Sequence, residues 1–306
     1  MTGLVCVVGS LNEDTTLTVA TLPAPGETTL TEGTRLHSPG GKGANQAAAA
    51  AVLGARVAMV GAVGDDSSGE RSLAALRALD VDLAAVVRRA EANTGIAIIT
   101  VDADGENTIV VDAGANASLT AREVAEAVSV AQPTVLLLQL EVPLDAVDAA
   151  ARAASGALVV LNPAPMPPDP SPVRDLLPLM DVLVPNRSEL GRLAGRDEPT
   201  DISEVAACVA ALGHAGSVVV TLGADGALCF EKGAAAPFVI PGIPTATQDA
   251  SGAGDVFCGC LAQQLASGIG LLDAVRRANA LAAASTAYPG ARMRRTLADL
   301  RSPSPR

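Results

Sequence analysis

Short apolar runs alternate with helical segments along most of this chain, and that order restricts the possible folds more than any other feature. The runs are residues 5–9, 57–63, 134–138, 157–161, 182–184 and 218–221. Continuous apolar runs of this length are typical of strands buried in a parallel sheet. Helical runs lie at residues 42–53, 70–79, 121–130, 144–154, 188–194 and 202–212. The order predicts an α/β fold with a doubly wound, mostly parallel central sheet flanked by helices.

Four segments break this order with a period-two alternation, which is typical of half-buried strands. They are residues 15–19, 28–36, 96–101 and 108–112. We expect them to form a small antiparallel β-sheet inserted into the α/β body, within about residues 12–38 and 95–112. Because such a sheet has one apolar face, it must cover an active site as a lid, a second copy of the chain, or both. Residues 1–306 are expected to form a single domain that carries this lid.

The composition limits both the core and the partners. Aromatic residues make up 1% of the chain, so alanine, valine and leucine must fill the core. The formal net charge of −12 argues against a nucleic-acid-binding surface. Five cysteines at scattered positions without metal-ligand spacing indicate reduced thiols and a cytoplasmic protein. No apolar stretch reaches about 18 residues without a charge or a turn signal, so no membrane span is expected.

Residues 249–255, with the sequence DASGAGD, form a polar, glycine-rich loop that runs into an apolar, alanine-rich helix. The backbone N–H groups of the loop lie at the positive end of the helix, which is a ready site for a phosphate. Asp255 stands at the junction, where a carboxylate can take a proton from an alcohol while the anion hole holds a phosphoryl group. The combination indicates a kinase that acts on a hydroxyl. The alternative is a capped helix after a glycine turn.

Other polar clusters follow the predicted strands. Residues 40–45, GGKGAN, open a helix, and their glycines let a ligand approach the backbone closely. Their spacing is not that of a Walker A loop. Asn12 and Asp14 follow the first strand, and Glu141 follows the strand that ends near residue 138. Each of these alone could be a turn or a solvated loop.

Two more clusters complete the pattern. Asn186 and Glu189 could hold a magnesium ion through water, or simply cap the next helix. Residues 221–226 could form a plain hairpin or a glycine loop over a nucleotide. Because all five clusters follow strands of the same α/β order, they predict a shared crevice at the carboxyl edge of the sheet.

In these motifs and their order, the chain resembles the ribokinase family of carbohydrate and nucleoside kinases along nearly its whole length. The matching stretches are residues 9–14, 25–28, 40–47, 64–66, 105–107, 114–116, 139–141, 162–165, 185–186 and 252–255. The glycine loop followed by the signature at residues 252–255 is very specific to the family. The resemblance implies an ATP-dependent kinase. Within the family, the substrate implied is D-ribose, phosphorylated at O5, because the chain has Asn12, Asp14 and the complete GGKGAN sequence.

The resemblance also implies a role for individual residues. Asp255 is the general base, and Gly252, Ala253 and Gly254 supply the anion hole. The sugar is held by Asn12, Asp14, Gly41, Lys42, Asn45, Glu141 and Asp255. ATP is bound by Asn186, Thr221, Gly223, Gly226 and Asn279. Asn186 and Glu189 serve Mg²⁺ through water. A monovalent cation, K⁺, would be ringed by Asp249, Ser251, Ser285 and Gly290.

One departure from the family pattern bears on this cation. Arg294 stands where a serine oxygen ligand is expected, with Arg292 and Arg295 close by, and arginine offers no acceptor to a cation. A guanidinium that folds inward would pair with Asp249 and stand in for K⁺. If all three point to solvent, backbone oxygens could still bind the ion.

The expected partners are therefore ribose and ATP, with no nucleic acid and no membrane. The inserted sheet leads us to expect a homodimer. Two alternatives stay open: a kinase for another sugar or for a nucleoside, and a non-catalytic sugar-binding relative. A larger pocket near Asn12, Asn45 and Glu141 would favour the first, and the retention of Asp255 with an intact glycine loop argues against the second.

Overall fold

The computed structural model describes residues 3–293. The strands are β1 (Leu4–Val8), β2 (Asn12–Thr18), β3 (Leu36–Gly40), β4 (Arg56–Gly64), β5 (Asp82–Arg89), β6 (Gly95–Val101), β7 (Asn107–Asp112), β8 (Val135–Leu138), β9 (Leu158–Leu161), β10 (Val182–Leu183), β11 (Ser217–Thr221), β12 (Gly226–Phe230) and β13 (Phe238–Pro241). The α-helices are α1 (Lys42–Val52), α2 (Ser67–Arg77), α3 (Ala121–Ala131), α4 (Leu144–Ala153), α5 (Ser171–Leu176), α6 (Arg187–Ala194), α7 (Ile202–Leu212), α8 (Ala253–Ala266) and α9 (Leu271–Ser285).

A central sheet of nine strands has the order β13-β12-β11-β10-β9-β8-β1-β4-β5. The strands from β11 to β5 pair in parallel, and β12 and β13 add an antiparallel edge. In the sheet, strands that follow β1 in the sequence lie on both sides of it, with β4 and β5 on one side and β8 to β13 on the other. This switch in strand order opens a crevice at the carboxyl ends of β1 and β8.

Helices cover both faces of the central sheet. Val5 and Val7 of β1 face a core layer formed with α1, α2, α8 and α9, while Cys6 and Val8 face the layer formed with α3 to α7. The side-chain period of two sends alternate residues to opposite layers, so every position of β1 is apolar. The predicted doubly wound α/β fold is therefore confirmed.

The second sheet is small and has the order β3-β2-β6-β7. The outer pairs, β2 with β3 and β6 with β7, are antiparallel, and the central pair of β2 with β6 is parallel. The carboxyl end of β1 leads directly into β2, so this sheet begins at the crevice.

One predicted strand was wrong in its position. Residues 28–35 are exposed and form only an isolated bridge, between Val19 and Thr31, whereas the strand runs over Leu36–Gly40. Alternation alone does not determine which residues pair: the ladder with β2 begins at Leu36, opposite Thr16, and runs to Gly40, opposite Asn12. The other predicted segments agree with the observed elements to within three residues at each end.

Two global features agree with the sequence patterns. No helix within residues 3–293 is both long and apolar enough to cross a membrane. All five cysteines are buried free thiols.

Candidate active site

Glycines let the loop before α1 pack against the carboxyl end of β1. Gly41 has a φ of 87°, and a Cβ there would lie 2.7 Å from the backbone N of Asn12. A Cβ on Gly43 would lie 2.6 Å from the backbone N of Ser10. Because both neighbours are backbone atoms, only glycine fits without a shift of the chain. The start of α1 therefore lies directly against the crevice.

Asp255 lies in the first turn of α8 and is held by two amide side chains of α1. Asn45 Nδ2 donates to Oδ2 at 3.1 Å, and Gln46 Nε2 donates to Oδ1 at 3.0 Å. The residue is 7% exposed. Burial raises the pKa of Asp255, against the opposing effects of Lys42 and the two amides. An oriented, buried carboxylate with a raised pKa is suited to general-base chemistry.

A close contact between α1 and α8 makes this arrangement possible. A Cβ on Gly259 would lie 2.4 Å from the backbone O of Gln46 and 2.7 Å from the Cβ of Ala49. The absence of a side chain at Gly259 lets the two helices approach until Asp255 reaches the amides of α1.

Sequence reasoning missed Gln46 as a site residue. Its side chain is fully buried, and its Oε1 accepts a hydrogen bond from Gln139 Nε2 at 2.7 Å. That bond orients the amide so that Nε2 faces Asp255. The available signal was a glutamine next to Asn45 in a run of alanines, where a polar side chain needs a buried partner.

The predicted sugar residues Asn12 and Asp14 lie together at the start of β2. Asn12 is buried, and its Oδ1 accepts from Asn116 Nδ2 at 2.8 Å, a partner that sequence reasoning also missed. Asp14 lies against Gly40, where a Cβ would be 2.0 Å from its Oδ1. Burial and the nearby carboxylates of Glu141 and Asp255 raise the pKa of Asp14 to about 6, against the opposing charges of Arg292 and Lys42.

Glu141 joins the loop after β8 to the start of α1. Its Oε2 accepts hydrogen bonds from the backbone N of Lys42 at 3.0 Å and from the Ser10 hydroxyl. Burial would lower the pKa of Lys42, but the charges of Asp255, Glu141 and Glu189 outweigh it and raise that pKa. The predicted sugar residues thus come together around one charged cluster.

Two adjoining cavities open on either side of Gly254. The smaller, of about 150 Å³, is polar and is lined by Lys42, Asn162, Ala164, Val184, Asn186, Glu189, Thr221, Gly252, Gly254, Asp255 and Cys258. The larger, of about 520 Å³, is mostly apolar and includes Thr221, Gly223, Gly226, Gly254, Phe257 and Asn279 in its lining. Because both include Thr221 and Gly254, they form one cleft, polar at one end and large enough for a nucleoside at the other.

The predicted anion loop has the expected backbone geometry. Gly252 precedes α8 with a left-handed φ of 71°, and no side chain caps the helix. The Ala253 N–H donates to the Ala250 carbonyl at 3.2 Å. An uncapped helix start beside Asp255 leaves backbone donors and the positive end of the helix dipole facing the cleft.

Asn186 and Glu189 form a capping box at the start of α6. Asn186 Oδ1 accepts from the backbone N of Glu189, and Glu189 Oε2 accepts from the backbone N of Asn186, both at 2.8 Å. The capping role weighed from the sequence is therefore present. Both residues also line the polar cavity, where burial raises the pKa of Glu189. A hard cation such as Mg²⁺ fits beside a buried carboxylate of this kind.

The predicted ATP loop, residues 221–226, forms the turn of the hairpin between β11 and β12, so the hairpin considered from the sequence is present. Gly223 and Gly226 have φ values of 63° and 99°. Thr221 bridges to Asn186, and Asn279 Nδ2 donates to the Pro241 carbonyl at 3.0 Å. Thr221, Gly223, Gly226 and Asn279 line the larger cavity, whereas Asn186 lines the smaller one.

Three of the four residues predicted to surround a cation lie together. Asp249 accepts hydrogen bonds from the backbone N atoms of Ser251 and Gly290, both at 2.8 Å. The Ser285 hydroxyl donates to the Ala282 carbonyl at 2.7 Å. No cluster of acidic, cysteine or histidine side chains able to hold a metal occurs within residues 3–293, so such a ring depends on backbone oxygens.

An inward-folding guanidinium was expected to pair with Asp249. Arg292 does fold inward, but its partners are Asn45 and Gly40, beside the predicted sugar residues, a part of the cleft here called the sugar region. The partner differs from the expected one because Asp249 already accepts hydrogen bonds from backbone N–H groups, while Asn45 offers a free carbonyl oxygen beside two carboxylates. Arg294 and Arg295 lie outside the described residues.

Fold and cleft together define a class of protein, a phosphotransferase that carries a phosphoryl group from a nucleotide to an alcohol. Residues 2–296 match the sequence profile described as pfkB family carbohydrate kinase. The chain belongs to this family and is an ATP-dependent carbohydrate kinase.

Individual relatives agree with this assignment. The chain is 37% identical over 291 residues to a ribokinase of Haemophilus influenzae, covering 93% of this chain and 92% of that protein. It is 31% identical over 295 residues to a deoxyribokinase of Salmonella typhi, covering 94% and 93%. The structure of Arabidopsis thaliana ribokinase complexed with ribose and ATP superposes with a TM-score of 0.85 at 31% identity, covering 98% of both chains.

Proposed function

We propose that this chain is a ribokinase that transfers the γ-phosphoryl group of MgATP to O5 of D-ribose. The observation that carries the proposal is the placement of Asp255, held by Asn45 and Gln46 where the polar cavity meets the nucleoside-sized cavity. Relatives named ribokinase support ribose as the sugar.

In the proposed reaction, Asp255 takes the proton of the O5 hydroxyl as that oxygen attacks in line on phosphorus. The raised pKa of Asp255 suits this step, because a base is most effective when its pKa approaches the working pH. The N–H groups of α8 that follow Ala253, which no side chain caps, and the ammonium of Lys42 stabilise the charge that develops on the transferring group. Asn12, Asp14 and Glu141 hold the other hydroxyls.

Metal ions have defined places in this proposal. Asn186 and Glu189 would hold Mg²⁺ through water, and the ion would neutralise phosphate charge. Asp249, Ser251, Ser285 and Gly290 would form the K⁺ ring beside the anion loop. ATP would contact Asn186, Thr221, Gly223, Gly226 and Asn279.

The proposal extends to the organisation of the protein. Residues 1–306 would form one α/β domain whose segments 12–38 and 95–112 act as a lid. Two lids would meet in a homodimer, because Ile109, Val110 and Val111 of β7 are exposed. The reduced state of the buried cysteines supports a cytoplasmic location.

The decisive test is ADP release with a panel of acceptors: D-ribose, 2-deoxyribose, D-xylose, D-fructose and adenosine. We expect the highest kcat/KM with ribose, and phosphorus NMR of the product should place the phosphate on O5. The deoxyribokinase relative makes 2-deoxyribose the competing sugar. A higher kcat/KM for adenosine or another sugar would replace ribose as the substrate, and sugar binding without ADP release would support the non-catalytic alternative.

A further inference from the structure

Arg292 places a guanidinium inside the sugar region. Its Nε donates to Asn45 Oδ1 at 3.0 Å, and one terminal nitrogen donates to the Gly40 carbonyl at 3.3 Å. The segment that carries it is anchored on both sides: Gly290 donates to Asp249, and Met293 is 5% exposed. The position of Arg292 is therefore built into the fold.

The other terminal nitrogen of Arg292, Nη1, is buried and has no hydrogen-bond partner within residues 3–293. Asp14 and Asp255 act on the guanidinium by charge, yet neither forms an ion pair with it within that range. The Asp14 carboxylate likewise accepts no hydrogen bond from the described residues. A buried donor and a largely buried acceptor, near enough for their charges to interact, thus both lack partners, which is unfavourable unless a ligand supplies them.

We propose that Arg292 is a specificity-determining residue of the sugar site, whose Nη1 donates to a sugar hydroxyl that in turn donates to the carboxylate of Asp14. The same side chain orients Asn45, because Oδ1 faces Arg292 and Nδ2 must then face Asp255. This inference deepens the proposed function and rests on it for the identity of the sugar.

The chemistry selects a neutral hydroxyl over an anionic group. A hydroxyl can accept from Arg292 and donate to Asp14 at once, whereas a carboxylate or phosphate on the substrate has no proton to donate. The surrounding charges agree, since Asp14, Glu141 and Asp255 outnumber the cations Lys42 and Arg292. An acidic sugar would therefore meet net repulsion at this place.

Two substitutions separate the charge of Arg292 from its hydrogen bonds. R292Q removes the charge and keeps one amide donor, while R292K keeps the charge and loses the planar fork. R276Q is the matched control, because Arg276 is exposed on α9 and its one ion-pair partner among residues 3–293 is Asp273. Thermal unfolding of each variant, with and without ATP, checks that the fold and the nucleotide site are intact.

Calorimetric titration with ribose in the absence of ATP measures the affinity of each variant for the sugar, and turnover assays give the KM. We expect R292Q to weaken ribose binding and to raise the ribose KM, each by about 10- to 100-fold, since a hydrogen bond from a charged donor is lost. The ATP KM should change far less. R292K should fall between R292Q and wild type, and R276Q should match wild type.

The pH dependence of kcat/KM for ribose gives a readout that a purely structural role would not move. The charged groups that face Asp14 are Arg292, Lys42, Glu141 and Asp255. Removal of the guanidinium makes the ionised form of Asp14 less favourable, so the acidic limb should move to higher pH in R292Q. R292K should leave that limb near its wild-type position.

Deoxy analogues then identify the hydroxyl. For the analogue that lacks the bridging hydroxyl, R292Q and wild type should bind with similar affinity, whereas R292Q should bind the other analogues more weakly than wild type does. If R292Q loses the same factor in affinity for every analogue, the proposed hydroxyl bridge is wrong. Ribonate binding that is tighter than ribose binding in wild type, and lost in R292Q, would overturn it in favour of an anion site.

The two proposals fail in different ways. Wild-type protein that neither binds nor phosphorylates ribose overturns the proposed function and this inference with it. Wild-type protein that binds ribose, together with folded R292Q that binds it equally well, overturns the inference alone.

Discussion

The chemistry of this cleft depends on how single side chains are held. Asp255 receives one hydrogen bond on each carboxylate oxygen, from Asn45 and from Gln46. Gln139 in turn holds Gln46. The chain from Gln139 to Asp255 is buried throughout, so the hydrogen bonds between its members fix the orientation of the Gln46 amide and of the Asp255 carboxylate.

Replacement of the base tests its role directly. We expect D255N to lower kcat by about 10²- to 10⁴-fold, because the substituted amide cannot take a proton from the sugar. Ribose binding, measured by calorimetry, should change much less. D273N, at an exposed position of α9, is the control and should keep wild-type turnover. Wild-type kcat in D255N would refute the assignment of Asp255 as the base.

Asp14 should control the acid side of the pH profile. Its pKa is raised to about 6, so the free enzyme loses the carboxylate acceptor as the pH falls through that value. We expect kcat/KM for ribose to decline below about pH 6. D14N should raise the ribose KM by about 5- to 100-fold, consistent with an unpaired buried partner, and abolish that limb. Equal changes in the KM values of ribose and ATP would mark Asp14 as a turn residue only.

At the level of elements, the contact of α1 with α8 assembles the site. We expect G259A to lower the free energy of unfolding by about 1–3 kcal/mol, since its Cβ would press on the backbone of Gln46. Turnover should fall as well, because α8 must move and carries Asp255 with it. Unchanged stability in G259A, measured by denaturant unfolding, would show that the helices can separate at no cost.

We expect the segment after α9 to govern the response to potassium. Asp249 and Gly290 remain in contact, but Arg294 replaces the expected serine oxygen and offers no acceptor. We expect weak activation when about 100 mM potassium replaces a buffer free of sodium and potassium. An R294S variant should gain activation. A large rise in wild-type turnover would restore an ordinary cation site.

At the scale of the whole molecule, the small sheet leaves apolar side chains uncovered. In its strands these are Leu36, Ile109 and Val111 on one face and Ile98 and Val110 on the other. We expect light scattering to give twice the 30.5 kDa mass of the chain at micromolar concentration. V110K, which places a charge beside Ile98, should shift the protein to a monomer, and a monomeric wild type would contradict the lid-to-lid dimer.

Much of this molecule follows from local patterns. The apolar runs predicted the parallel strands because strands buried on both faces admit little else, as Val5 to Val8 of β1 show. Gly41, Gly43 and Gly252 marked the loops at the crevice, because each meets a steric or φ requirement that other residues fail. Strand β3 was misplaced because the alternation does not show which residues pair with β2, and the pairing begins only at Leu36.

What only the tertiary structure decided is which distant side chains meet. Gln46 and Asp255 are 209 residues apart, Asn116 and Asn12 are 104 apart, and Arg292 and Asn45 are 247 apart. The sequence by itself determined the fold class and the glycine loops and predicted Asp255 as the base, because backbone sterics and hydrophobic period act over a few residues. It could not assign Gln46 as a support or Arg292 to the sugar region, because an amide or a guanidinium takes whichever partner the packed helices bring within about 3 Å.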